Sequence, residues 1–256
     1  MKIGIAADDL TSATDGAVPF LQSGHACEVW FDHELAPELL SGVMSINKNS
    51  RAANVEDATE MARSAAAKLA DVDVLYHTID STIRGHLEAE VLSALETSGR
   101  KVALLAPAFP EAGRTTINGE QLLDGVAISQ TIYARDPLHP VKESLIRKYF
   151  LSLPDTAIRQ LRLEDVRKLG PNSLELNSEK LIICDSERQD DLDRLVGAIK
   201  HPREVLFCGS PGLARALAKR FTTTGFEQPL TEKPAATCVL TIVGSVNEAS
   251  LVQKQI

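Results

Sequence analysis

The sequence lacks any apolar run that approaches the ~18 residues needed to span a bilayer. Its first residues, Met1 to Asp9, contain a short apolar segment followed by two acids, which is not the pattern of a secretory signal peptide. Aromatic residues make up only 4% of the chain, but 44% of its 256 residues are hydrophobic, enough to bury the core of one large domain or two small ones. We expect a globular protein with no membrane partner.

Positive charge is also scarce. The chain has 27 Lys and Arg against 35 Asp and Glu, a formal net charge of −8, and its basic residues form no stripe. Proteins that bind DNA or RNA normally present a basic face, so a nucleic-acid partner is disfavoured. A small anionic ligand remains compatible with this charge, because a few local arginines and backbone amides can outweigh a weak overall field.

Cysteine and histidine are too scattered to indicate a metal centre. The four cysteines, Cys27, Cys184, Cys208 and Cys238, form no CxxC pair, and the six histidines form no HxxxH or HExxH pattern. We therefore expect no metal held by protein ligands alone. Most of the cysteines lie in or beside apolar runs, which favours buried thiols in a reducing, cytoplasmic setting.

Two common nucleotide-binding motifs, GxGxxG and GxxxxGK[ST], are absent. Their absence disfavours a nicotinamide-dependent dehydrogenase and a P-loop enzyme. The stretch Gly209 to Gly212 precedes a predicted helix and resembles an anion-binding turn, although an ordinary strand-to-helix turn explains it better.

The chain does have a regular alternation of short apolar runs with amphipathic stretches. Apolar runs predict strands at 3–6, 26–31, 43–46, 72–76, 102–105, 181–184 and 205–207. Amphipathic stretches predict helices at about 12–23, 55–69, 85–95, 190–199 and 213–221, the first capped by Ser12 with Asp15 and the second by Asn54 with Asp57. This alternation is typical of an α/β protein with three α/β/α layers and a mainly parallel sheet.

Two stretches interrupt the alternation. Between residues 113 and 140 the pairs Asn118-Gly119, Asp124-Gly125 and Asp136-Pro137 are turn signals, which predict a hairpin-like excursion. Residues 222–237 lack periodicity and read as a linker, after which 238–243 begin another apolar strand. We expect one domain over 1–225, with a linker and the beginning of a second domain over 226–256.

Polar side chains follow two of the predicted strands at the point where each strand ends. They are Asp8, Asp9 and Thr11 after the first strand, and Asp80, Ser81, Thr82, Arg84 and Gly85 after the 72–76 strand. A carboxylate there can cap a helix or accept a proton from a substrate hydroxyl, and an Arg fork can bind a carboxylate bidentately. Taken alone, the first motif is also explained by acids that cap a helix, and the second by a capped helix beside a surface Arg.

Two further arginines occupy equivalent positions. Ser50 and Arg51 follow the 43–46 strand, and Arg114 follows the 102–105 strand after a loop stiffened by two prolines. The carboxyl ends of parallel strands line one edge of a sheet, which is where ligands of open α/β folds bind. The shared position of these four motifs predicts a pocket for a small polyhydroxy acid.

Eight stretches carry a family resemblance and follow one another in order along nearly the whole chain. They are ADDLTSATD (7–15), NSR (49–51), DSTIRG (80–85), APAFPEAGRTT (106–116), NGEQLLDG (118–125), ARDPLHPVKES (134–144), GSPGLARALA (209–218) and VGSVNEAS (243–250). In these stretches the sequence resembles the four-carbon acid sugar kinase family. The resemblance implies an N-terminal acid-sugar-binding domain followed by a C-terminal nucleotide-binding domain.

The resemblance also implies an activity and roles for the residues above. Such enzymes transfer the γ-phosphoryl group of ATP, with Mg²⁺ expected alongside it, to the terminal hydroxyl of a threonate, erythronate or oxo-tetronate. Arg84, with Arg51 or Arg114, would hold the substrate carboxylate. Asp8, Asp9 and Asp80 would bind hydroxyls, and one of the three, left open here, would be the general base. The substrate-binding set is Thr11, Ser50, Arg51, Ser81, Thr82, Arg84, Gly85 and Arg114, and Ser245 matches an ATP-contacting serine.

Departures from the family pattern leave the identity of the acid sugar open. His77 to Ile79 stand where the family commonly has a lysine, His86 where it often has Asn, and Lys48-Asn49 where it usually has an acid. A non-catalytic acid-sugar-binding module, or the remnant of a kinase, is the alternative function. A nucleotide-binding domain after residue 256 would favour the kinase over this alternative. Self-association is left open.

Overall fold

The structure is a computed structural model that describes residues 1–31, 38–39, 41–137 and 139–223. Within these residues the strands are β1 (Lys2–Ala7), β2 (Cys27–Trp30), β3 (Gly42–Asn47), β4 (Val74–Thr78), β5 (Val102–Ala106), β6 (Arg114–Ile117), β7 (Glu120–Leu123), β8 (Val126–Ala127), β9 (Ile158–Leu161), β10 (Leu181–Cys184) and β11 (Val205–Gly209). The α-helices are α1 (Leu10–Gln22), α2 (Val55–Lys68), α3 (Leu87–Ser98), α4 (Leu163–Lys168), α5 (Gln189–Ala198) and α6 (Pro211–Arg220).

The main sheet is parallel throughout its eight strands, in the order β2-β3-β1-β4-β11-β5-β10-β9. A separate three-stranded antiparallel sheet, β6-β7-β8, occupies residues 114–127. These two sheets confirm the predicted fold class and the predicted hairpin-like excursion.

Helices cover both faces of the main sheet, and each face has its own apolar core. Phe20 of α1 and Leu217 of α6 belong to one core, whereas Leu69 after α2 and Val91 of α3 belong to the other. Successive residues of a strand point to opposite faces, so β4 contributes side chains to both cores. Burial on both faces explains why these strands read as continuous apolar runs in the sequence.

The chain reverses its direction of travel across the sheet between β1 and β4, which are hydrogen-bonded neighbours. After β1 it continues through α1 to β2 and β3 at one side of the sheet; after β4 it continues through α3 to β5 at the other. Connections that leave adjacent strands in opposite directions open a crevice at the carboxyl ends of those strands. The fold therefore provides a binding crevice beside Asp8 and Asp80.

The helix caps confirm one prediction and correct another. Asn54 caps α2, since its side chain accepts the backbone N–H of Asp57 at 2.8 Å. The predicted cap of α1 at Ser12 is wrong, because the Asp9 carboxylate accepts the Ser12 backbone N–H at 2.7 Å and the helix begins at Leu10. Helix α3 begins at Leu87 rather than at Gly85, whose φ of +96° is not helical.

Strand β9 and helix α4 were not predicted, and they extend the sheet at its β10 edge. The linker and second domain expected over 226–256 lie outside the described residues. Across the residues that the structure describes, no helix is both long enough and apolar enough to cross a membrane.

Candidate functional site

A cavity of about 270 Å³ lies at the carboxyl ends of the central strands. Its volume is slightly below the ~300–1,000 Å³ typical of sites for drug-sized molecules, so it suits a small ligand. Seven of the residues proposed from the sequence line it: Asp9, Thr11, Arg51, Asp80, Ser81, Arg84 and Arg114. The motifs that follow four different strands therefore meet at one site, as their shared position predicted.

Four other proposed residues take different places. Asp8 and Thr82 are buried behind the cavity, at 5% and 1% exposure, and Gly85 forms a turn with positive φ. Ser50 is fully buried, and its hydroxyl donates to Glu90 at 2.9 Å rather than facing the cavity. Ser245 lies outside the described residues.

Arg51 joins the ends of β3 and β1. Its Nε donates to Oδ2 of Asp8 at 2.7 Å, Nη1 donates to Oδ2 of Asp9, and Nη2 donates to the Ser12 hydroxyl at 3.0 Å. Burial raises the pKa of Asp8, and the Arg51 charge offsets only part of that effect. The guanidinium of Arg51 is thus already neutralised by two carboxylates of the chain itself.

Arg84 is likewise paired with two carboxylates of the chain. Its Nε donates to Asp80 at 2.7 Å, and its Nη1 donates to Asp136 at 3.0 Å. Burial opposes ionisation of Asp80, but the hydrogen bond and charge of Arg84 outweigh it, so the pKa of Asp80 is lowered. The Arg84 guanidinium also lies over the Tyr133 ring, 5.2 Å from its centroid.

Arg114 differs from both. Its Nη1 donates to the Ala112 carbonyl at 2.6 Å, and its Nη2 donates to the Tyr133 hydroxyl at 3.1 Å. Its Nε is buried without a hydrogen-bond partner, and no carboxylate pairs with it among the described residues. Arg114 is the cavity arginine whose positive charge the described part of the chain leaves uncompensated.

The antiparallel excursion holds Arg114 against the main sheet. The Asp185 carboxylate, after β10, accepts the backbone N–H groups of Asn118 and Gly119, each at 2.7 Å. Gln121 of β7 donates to the Ser81 carbonyl at 2.7 Å, which links the excursion to the loop after β4. These contacts fix the position of β6, whose first residue is Arg114.

The N-terminus of α6 also lines the cavity, at Ser210 and Pro211. The Ser210 hydroxyl donates to the Ala108 carbonyl at 2.7 Å and so does not cap the helix. Because a helix N-terminus carries partial positive charge, this end adds to the preference for an anion that Arg114 creates. The turn Gly209 to Gly212 was noted from the sequence, but its residues were not placed in the site.

Sequence reasoning missed other residues that line the cavity, including Asp15, Tyr76, Thr78 and Phe109. Asp15 stood in the ADDLTSATD stretch but was interpreted as part of a helix cap. It makes no hydrogen bond within the described part of the chain, and burial together with the nearby Asp9 charge raises its pKa. Its spacing of four residues from Thr11 on α1 was a usable signal, because that spacing places both on one helix face.

The chain is similar to known sugar-acid kinases over most of its length. Residues 3–217 match the protein family described as the sugar-binding N-terminal domain. The D-threonate kinase of Salmonella typhimurium is 32% identical over 98% of this chain and 59% of its own length. The D-erythronate kinase of Heliobacterium modesticaldum is 29% identical over 96% of this chain and 57% of its own length.

A solved structure extends the similarity to the fold. A Bordetella bronchiseptica protein, crystallised with bound citrate as a domain-swapped dimer, superposes with a TM-score of 0.73 and 29% identity. The match covers 85% of this chain and 56% of that one. The chain thus spans a little over half the length of the relatives it matches.

Proposed function

The chain belongs to the four-carbon acid sugar kinase family, through its sugar-binding N-terminal domain, and on that premise we propose that its cavity binds the sugar acid that such a kinase phosphorylates. The observation that carries the proposal is the uncompensated charge of Arg114 in a cavity whose other arginines, Arg51 and Arg84, already pair with carboxylates. Acids and hydroxyl groups also line this cavity. A polyhydroxy monocarboxylate matches that distribution, with one anionic end and several hydroxyl groups.

The roles of the cavity residues follow from their partners. Arg114, assisted by the N-terminus of α6, would bind the substrate carboxylate, because Arg51 and Arg84 already pair with aspartates. Asp9 and Asp80 would accept hydrogen bonds from substrate hydroxyls, together with Thr11 and Ser81. Asp8 would act from behind the cavity by holding Arg51.

Phosphoryl transfer also requires a group that accepts the proton of the attacking hydroxyl. Asp8, Asp9 and Asp80 each accept a hydrogen bond from an arginine, whose positive charge opposes transfer of a proton to the carboxylate. Asp15 lines the cavity and makes no such bond within the described residues. Burial and the nearby Asp9 charge also raise its pKa, which favours proton acceptance. We therefore assign the general base to Asp15: it would take the hydroxyl proton as that oxygen bonds to the γ-phosphorus and the bond to the β-phosphate oxygen breaks.

ATP supplies the phosphoryl group, and the expected contact at Ser245 lies outside the described residues. In the part of the chain that the structure describes, no group of three or more His, Cys, Asp or Glu is arranged to hold a metal ion. Mg²⁺ usually binds through nucleotide phosphates together with one or two carboxylates. It would therefore enter this site with ATP.

A thermal-shift screen of the 256-residue chain tests the proposal. The ligands are D- and L-threonate, D-erythronate and 2- and 3-oxo-tetronate, each with and without Mg-ATP. A ligand that binds only the folded protein must raise the melting temperature, so at least one acid sugar should do so. A shift that ATP leaves unchanged would favour a binding module, and no shift with any acid would contradict the proposal.

A further inference from the structure

A buried charged cluster lies directly behind the cavity. Its members are Lys48 and Ser50, which follow β3, His77 of β4, and Glu90 of α3. Exposure is 2% for Lys48, 0% for Ser50, 1% for His77 and 5% for Glu90. None of these side chains lines the main cavity, and the role proposed for the cavity uses none of them.

Glu90 is the centre of the cluster. Its Oε2 accepts the Lys48 ammonium, which also donates to Nε2 of His77 at 3.3 Å. The same carboxylate oxygen accepts the Ser50 hydroxyl at 2.9 Å. One oxygen on α3 thereby holds two residues of the loop after β3, on either side of Asn49, whose φ of 55° is left-handed.

The charge states follow from these contacts. Burial opposes ionisation of Glu90, but the Lys48 charge outweighs it and lowers the pKa of Glu90. Burial and the same Lys48 charge lower the pKa of His77 to about 3, so the ring is neutral near pH 7. The His77 Nε2 atom therefore accepts a hydrogen bond from the Lys48 ammonium, which also donates to Glu90. Within the cluster, Glu90 is the counter-ion of Lys48.

An ion pair buried this deeply is a poor source of stability, since well-packed apolar residues of similar volume usually serve as well or better. What an ion pair provides and apolar packing does not is directional contact. In this cluster the directional contacts connect Glu90 to the cavity through Ser50. Ser50 directly precedes Arg51, whose backbone N–H donates to the Asp8 carbonyl at 3.2 Å and whose guanidinium bridges Asp8 and Asp9.

We propose that Glu90 is a positioning residue for the acid-sugar site: through Ser50 and Lys48 it holds the loop that carries Arg51 in the geometry needed to bridge Asp8 and Asp9. Glu90 lies on α3, the helix that follows the Asp80–Arg84 loop. The cluster would therefore also fix the distance between that loop and the loop that carries Arg51. The inference rests on the proposed function only for the identity of the ligand.

Three variants of the 256-residue chain test it. Ser50→Ala removes the hydroxyl contact alone. Lys48→Met/Glu90→Leu replaces the ion pair by apolar side chains and avoids an unpaired buried charge. Glu96→Gln, an exposed position on the same helix, is the matched control. Each is measured for melting temperature, for affinity toward the acid sugar that shifts the parent, and for hydrogen exchange of the backbone amides of residues 48–53.

We expect Ser50→Ala and the double variant to bind the acid sugar about tenfold more weakly or worse, because a hydrogen bond to a charged group is lost. Both should keep a melting temperature within a few degrees of the parent, and both should exchange the 48–53 amides faster. Glu96→Gln should match the parent in all three measurements.

The inference would be overturned if the double variant matched the parent in acid-sugar affinity and in hydrogen exchange of the 48–53 amides. The cluster would then only fill space in the protein interior. If the parent itself binds no acid sugar, the proposed function fails. The exchange measurement still decides whether Glu90 orders the Arg51 loop.

Discussion

The Nε atom of Arg51 lies 2.7 Å from Oδ2 of Asp8, although the two residues are 43 positions apart in the chain. The contact spans the ends of β3 and β1, which are paired in parallel, and it withdraws one arginine and one acid of the site from direct ligand binding. A second such pair, Arg84 with Asp80, withdraws another arginine. If the proposed function is right, Arg114 is therefore the arginine that binds the anionic group of the ligand.

Replacing Arg114 tests this role. Arg114→Ala should weaken acid-sugar binding by at least ~100-fold, because the proposed charge-assisted contact to the substrate carboxylate is lost, with little change in melting temperature. Isothermal titration measures the affinity. Arg63→Ala, at an exposed position of α2, is the control and should bind normally. Normal affinity in Arg114→Ala would remove Arg114 from the site.

Removing Arg51 should act on stability as well. Arg51→Ala leaves Asp8 buried without its cation, and the free energy of unfolding near pH 7 should fall by about 3 kcal/mol. Burial already raises the pKa of Asp8 above its usual 3.8, and loss of Arg51 raises it further. A protonated Asp8 needs no cation, so the deficit should shrink as the pH falls toward 4. Urea unfolding of the parent and of Arg51→Ala at pH 7 and pH 4 measures this loss of unfolding free energy. An equal loss at both pH values would contradict the explanation that it comes from an unpaired Asp8 carboxylate.

The Glu90 pair should also lose its contribution to stability on acidification, but because its own carboxylate becomes protonated. Its folded-state pKa is lowered below the usual 4.5, so the stability it contributes is present above about pH 4.5 and is lost as the pH falls through the folded pKa. The difference in unfolding free energy between the parent and Glu90→Gln should therefore be largest at neutral pH. A difference that grows on acidification would contradict the ionised pair.

Asp185 anchors the excursion that carries Arg114. Asp185→Ala deprives two backbone N–H groups of their acceptor and should cost about 2–3 kcal/mol of unfolding free energy. Affinity for the acid sugar should fall too, since β6 is no longer held in place. Asp190→Ala, an exposed acid near the start of α5, should change neither quantity much. Loss of stability with full affinity would show that the anchor does not position Arg114.

Gly113 directly precedes Arg114 and has a φ of 72°. A Cβ at this position would lie 2.1 Å from Oδ1 of Asp124, whereas at Gly99, with a φ of 67°, nothing lies within 4 Å. Gly99→Ala should therefore cost only the ~1–2 kcal/mol of left-handed backbone strain, and Gly113→Ala should cost more. Equal costs in thermal unfolding would mean that Asp124 moves aside freely.

Much of the fold was predictable because buried parallel strands and amphipathic helices leave strong periodic signals. Strand β9 was missed because it is an edge strand whose sequence, IRQL, mixes charged and apolar residues. The start of α1 was misplaced because Asp9 and Ser12 are both good caps, and local sequence does not say which backbone is extended. Asp9 has that extended conformation, with φ −146° and ψ 174°.

The location of the site was predictable from the sequence, but the ion pairs between its residues were not. Parallel strand ends share an edge, so the motifs around Asp8, Arg51, Asp80 and Arg114 could be grouped from sequence. Which arginine keeps its charge free depends on distances between residues far apart in the chain, which no local pattern encodes. The same holds for Glu90, because its contacts with Lys48 and Ser50 join residues about 40 positions apart in the chain.

The most direct measurement is a crystal structure of this chain with the acid sugar that raises its melting temperature. We expect the ligand in the cavity at the ends of β1 and β4, with its carboxylate hydrogen-bonded to the Arg114 guanidinium and with the Arg51–Asp8 and Arg84–Asp80 pairs intact. A carboxylate bound to Arg51 or Arg84 with those pairs broken, or a ligand elsewhere, would contradict it.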